Sequence, residues 1–133
     1  MARISRNITI SLPVDSGAPV EFIVRRPSAD EHQKFLKSRL KERRNKITTD
    51  VIAPRLALMH KILLDCRNVT IDDEHGNEIE LNAQTQLTEG IREHYGLDAL
   101  DTWRDLIPAN WLSSAATYFE ETAVDEEGSE KNS

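Results

Sequence analysis

The sequence predicts an α+β domain: an N-terminal β-hairpin packed on a mostly helical body, with a second short hairpin and a disordered acidic C-terminal tail. Three observations carry that prediction. Ile8, Ile10 and Leu12 alternate with Asn7, Thr9 and Ser11, the period-two pattern of a half-buried strand. From Asp30 to Phe119 the apolar residues mostly recur at helical spacing. After Thr122 the chain is acidic and polar, with no periodicity at all. A length of 133 residues suits one domain, assigned to 1–121, followed by the tail at 122–133.

Taken in order, residues 6–13 form the first strand and Val20, Phe22 and Val24 the second. Asp15-Ser16-Gly17-Ala18 supplies the turn between them. Ile23 makes the second strand apolar on both faces. Pro27 ends it, and Ser28-Ala29-Asp30-Glu31 is a capping box that opens a helix over about 29–45. That helix has a thin apolar stripe of Phe35, Leu36 and Leu40, with basic residues over most of the rest. A second helix, about 50–66, is apolar over well over half its circumference and reads as the central core helix, with Arg55, Lys61 and Asp65 on its exposed edge. Pro54 is tolerated because it falls in the first turn.

Val69-Thr70-Ile71 and Glu78-Ile79-Glu80-Leu81 flank a turn-rich segment and read as the second hairpin. Leu87, Ile91 and Tyr95 then repeat at helical spacing up to Gly96, a helix-terminating residue. Asp98 is placed to cap a further helix carrying Leu100, Trp103, Leu106 and Ile107. Pro108 starts the last helix, through Trp111, Leu112, Ala115, Ala116 and Phe119.

Charge is distributed unevenly along the chain. Up to Leu64 there are thirteen basic and six acidic residues; from Asp65 onward there are four and seventeen, so the parts carry +7 and −13 within a net −6. Nine of the basic residues lie between Arg25 and Lys46. Lys34, Lys37, Lys41 and Arg44 recur at i, i+3, i+7 and i+10, one charged ridge that could track a polyanion or dock on an acidic protein. The competing reading is a solvated surface helix, since Lys and Arg favour helix formation and hydrate well. Arg25 and Arg26 stand just ahead of that ridge. Trp103 and Trp111 share helical spacing with Leu106, Ile107 and Leu112, which favours core packing; an exposed tryptophan would instead be an interface anchor.

Signals for chemistry are weak. Asp72-Asp73-Glu74-His75-Gly76-Asn77-Glu78 does not scan as an EF-hand, because Ile71 falls where the first carboxylate belongs, so it reads as a solvated turn. A single cysteine, Cys66, excludes an intramolecular disulfide and reads as a small buried hydrophobe. The glycines are isolated from one another, so no phosphate loop is formed. The expectation is a non-enzymatic protein needing no cofactor and no metal. With neither signal peptide nor membrane span in the sequence, a cytoplasmic protein is expected. The acidic balance makes nucleic acid an unfavoured partner, although a small nucleic-acid- or regulator-binding module using helix 29–45 stands as the alternative.

The order of elements resembles a known family. The segment Glu21-Phe22-Ile23-Val24-Arg25-Arg26-Pro27-Ser28-Ala29-Asp30-Glu31 runs into a helix at Phe35-Leu36; Leu63-Leu64-Asp65-Cys66, a hairpin centred on Gly76 and a helix opened by Leu106-Ile107-Pro108 follow. A strand ending in Arg-Pro-Ser, an acidic helix start and a late Leu-x-Pro helix resemble the tail assembly chaperones of tailed bacteriophages, over roughly residues 20–120. The resemblance implies a chaperone in the host cytoplasm that binds the tape measure protein and helps recruit tail tube subunits. The opposite charges of the two parts would also allow copies to associate head to tail.

Overall fold

A computed structural model describes residues 4–15, 17–44 and 51–132 along the backbone, and side chains over 4–15, 17–38 and 51–120. The elements are β1 (Asn7–Leu12), β2 (Val20–Arg25), α1 (Ala29–Arg44), α2 (Ile52–Ile62), β3 (Leu63–Arg67), β4 (Thr70–Asp72), β5 (Glu78–Glu80), α3 (Glu89–Tyr95), a 3₁₀ turn (Trp103–Leu106) and α4 (Ala109–Asn132). The chain is α+β, with an antiparallel sheet in the order β1-β2-β3 and a separate β4-β5 hairpin.

The N-terminal hairpin forms as its alternation requires. Ile8 lies opposite Val24 and Ile10 opposite Phe22, and all four are buried on the face that packs against helices. Asn7, Thr9 and Ser11 point into water. At the start of α1 the capping box closes in both directions: Ser28 N–H donates to Glu31 Oε1 at 2.9 Å, and Glu31 N–H donates to Ser28 Oγ at 3.1 Å.

The main departure from expectation is at the end of the second helix. α2 stops at Ile62, and Leu63–Arg67, of which 63–66 was expected to be its last turn, is strand β3 paired with β2. Cys66 therefore lies on a strand, directly opposite Phe22. Both conformations bury an apolar face, so hydrophobicity alone did not separate them. The decisive interaction is long-range: one edge of β2 takes β3, and a register shift between Ile23 and Val24 absorbs the abrupt junction. No loop intervenes. The Leu63 carbonyl at the junction accepts two bonds from Arg104, from Nε at 2.9 Å and Nη2 at 2.7 Å.

A second departure concerns residues 98–107. Leu100 is 93% exposed, and the expected helix is reduced to the 3₁₀ turn. Its cap is Thr102, in a capping box with Asp105, rather than Asp98. Gly96 does end α3 in the left-handed conformation, φ 69°, after Thr88 caps its start.

The core joins the inner face of the sheet to α2 and α4. Phe22, Val24, Met59, Ile62, Leu63, Leu81, Leu112 and Ala116 are essentially without solvent contact. Arg55, read as part of an exposed edge, bridges instead to α4, donating to Glu120 Oε2 at 3.1 Å and Oε1 at 2.9 Å, and to Ser113 Oγ at 3.3 Å. The backbone of α4 continues helically through 122–132; the side chains on which the acidic-tail expectation rests lie outside the described residues.

Candidate interaction surface

The β2–α1 elbow positions the basic residues. Arg25, the last residue of β2, donates from Nη1 and Nη2 to the two oxygens of Glu31 at 2.7 and 2.8 Å. The guanidinium bonds, aided by the Ser28 N–H, pull the Glu31 carboxyl down from 4.5 to about 2. Arg25 is thereby a structural strut that fixes the angle between strand and helix.

Arg26 is placed differently. Its backbone N–H donates to the Arg6 carbonyl at 3.0 Å, and its Nε to the Ser5 carbonyl at 3.2 Å. Neither Arg26 nor Arg6 meets a carboxylate among the described residues. Both rim a shallow groove with Ile4, 85% exposed, Pro27 and Leu64, 40% exposed. Sequence reading passed over Ile4, Arg6 and Leu64. Leu64, counted in the sequence among the apolar residues of the second helix, instead falls at the register shift between Leu63 and Asp65 of β3 and is exposed.

On α1 itself, Phe35 is buried and Leu36 half-buried, while Lys34 and Lys37 stand in water. Lys34 Nζ lies 3.1 Å from Asp30 Oδ2, with both side chains about three-quarters exposed, so that pair contributes little. A cleft between α1 and α2 runs below the lysines, lined by Lys34, Phe35, Ser38, Pro54, Leu58 and Lys61. The backbone places Lys41 and Arg44 farther along the same helix; their side chains lie outside the described residues.

The two tryptophans separate. Trp103 is 6% exposed and belongs to the core, which removes it as a surface anchor. Trp111 is half-buried and lines a second groove with Val69, Ile71, Tyr95, Leu106 and Pro108. The Tyr95 hydroxyl ties that groove to β4, donating to the Asp72 carbonyl and accepting from its N–H.

Cys66, His32 and Asp73 are each held in structural contacts. The Cys66 Sγ donates to the Leu81 carbonyl at 3.2 Å, and burial, together with Asp65 and Glu80, pushes its thiol up to about 12. His32 Nε2 is bonded to the Phe119 carbonyl at 3.1 Å, its ring edge-on to the Phe119 ring. Asp73 Oδ1 accepts the N–H groups of His75 and Asn77, which holds the β4–β5 turn and lowers its carboxyl. Among the described residues no three His, Cys, Asp or Glu side chains gather as a metal-binding group, and no helix is long and apolar enough to cross a membrane.

No family model, curated protein or solved structure matches the chain.

Proposed function

We propose that this protein is a non-enzymatic phage or prophage tail assembly chaperone, acting by binding the tape measure protein and assisting tail tube assembly. The observation that supports this reading is the joint between β2 and α1. The Arg-Arg-Pro-Ser segment that carries the family resemblance forms a rigid elbow, held by the Arg25–Glu31 pair and the Ser28 capping box. From that elbow α1 projects Lys34 and Lys37 into water, with the cations of Arg6 and Arg26 at its root. A basic ridge joined to an apolar groove suits an acidic, amphipathic protein segment, which desolvated charge pairs and apolar anchors would hold together. The net acidic charge of the chain disfavours polyanions as its partners.

Co-expression with candidate tape measure and tail tube proteins, followed by affinity capture, tests the reading. Lys34→Glu combined with Lys37→Glu is expected to weaken capture by about tenfold or more. Equal capture of wild type and variant would remove α1 from the interface. Salt-sensitive retention on DNA or heparin, lost in the same variant, would favour the nucleic-acid-binding module instead.

A further inference from the structure

β1 is an edge strand with one open side. The bond from Arg26 N–H to the Arg6 carbonyl, with Asn7 opposite Arg25, fixes which peptide groups point where. Residues 6, 8, 10 and 12 face β2, so the N–H and C=O groups of Asn7, Thr9 and Ser11 point to the open side. Nothing among the described residues bonds to them there.

Edges of this kind are ordinarily protected by a charge, a proline, a bulge or a covering segment. Among the described residues β1 has none of these: Asn7-Ile8-Thr9-Ile10-Ser11-Leu12 is uncharged and regular over its whole length. The bulge of this sheet lies between β2 and β3, away from the open side. Ile8 and Ile10 retain 9% and 7% exposure, whereas Phe22 and Val24 one strand inward have none.

We propose that this edge pairs with β1 of a second copy, antiparallel, with Thr9 on the two-fold axis, to give one continuous six-stranded sheet. The strand is complementary to itself in that register. Thr9 meets Thr9, Asn7 meets Ser11, and Ile8 meets Ile10 on the core face, so the alternation of both copies is preserved. Charge is complementary as well. The Arg6 and Arg26 end of one hairpin comes beside the turn end of the other, which carries Asp15, with Glu21, paired to Arg67 of its own chain, one strand farther in. Such a pair is isologous and closes on itself, unlike the open head-to-tail stacking that opposite charges along the chain would permit.

The exposed Thr9 side chain makes the test independent of folding. Sedimentation equilibrium of the wild type should show a dimer. Thr9→Lys and Thr9→Glu, each alone, place like charges face to face and should weaken association by about tenfold or more. Mixing the two variants should restore a dimer. In addition, Thr9→Cys should cross-link to itself on oxidation, because hydrogen-bonded cross-strand positions bring Cα atoms to about 5.5 Å. Ser11→Cys should cross-link only to Asn7→Cys. A wild type that is monomeric at about 100 μM would overturn the proposal. So would Lys and Glu variants that associate as the wild type does, or Ser11→Cys cross-linking to itself; a monomer that captures a strand from an added foreign protein would reassign the edge.

Discussion

Single residues in this protein owe their behaviour to neighbours remote in sequence. Cys66 is the clearest case. Its thiol sits opposite Phe22, donates to the Leu81 carbonyl and is held protonated by burial and by Asp65 and Glu80. The folded protein should therefore resist thiol reagents at pH 8 and react fully in denaturant; rapid labelling of the native state would show that β3 opens. Glu31 offers a second test at this scale. Its folded value, about 2, lies below the ordinary 4.5, so its charged form stabilises the fold at every pH above 4.5. That contribution disappears as pH falls from 4.5 through about 2, because the unfolded chain takes up its proton first. Glu31→Gln should flatten the loss of stability across that window, as read by urea unfolding at successive pH values. An unchanged slope would mean that Arg25 holds the elbow without the carboxylate's charge.

At the scale of elements, the α2–β3 junction is the feature that most shapes the sheet. A helix that passes straight into a strand leaves carbonyls with no helical partner. Arg104, anchored by the Thr102 capping box and lying 5.2 Å over the Trp103 ring, caps the one at Leu63 with two bonds. Arg104→Ala is expected to cost about 1–3 kcal/mol in chemical denaturation, the scale of a charge-assisted bond lost from a partly buried acceptor. Arg104→Lys should recover only part of it, since an ammonium cannot reproduce the planar fork. Hydrogen exchange should report the loss at 63–67, with the β1–β2 hairpin less affected.

For the whole molecule, the polar link between α2 and α4 is the one to test. Arg55 on α2 reaches Ser113 and Glu120 on α4, with side-chain exposures of 22% and 11% for the ion pair. A carboxylate this shielded is costly once its guanidinium is gone. Arg55→Met should lower stability by about 2 kcal/mol while leaving the secondary structure content unchanged, as judged by circular dichroism and urea melts. The charge asymmetry takes its final form at the same scale. Arg25 and Arg55 are spent on the carboxylates of Glu31 and Glu120 and Lys34 keeps only an exposed pair with Asp30, whereas Lys37, Arg6 and Arg26 are directed to solvent or to backbone carbonyls. Among the described residues, two of the cations on these elements are thus taken up by internal ion pairs, while Arg6, Arg26, Lys34 and Lys37 lie around the β2–α1 elbow.

What was legible in the sequence was local. Alternation over 7–12 and 20–25, the Ser28–Glu31 box, the Gly76-centred hairpin, Gly96 and Pro108 each act through a few neighbouring residues, and each stands in the structure where its chemistry placed it. The placement of Lys34 and Lys37 on the outside of α1 was readable from helical spacing in the same way. The conformation of Leu63–Arg67 was not, because an apolar run serves helix and strand alike and only the waiting edge of β2 decides between them. The same holds for Leu64 and Ile4 facing outward, for Trp103 facing inward and for Arg55 turning to Glu120. Local propensity set most elements of this protein, while pairing between distant segments decided β3 and which side chains the elements expose.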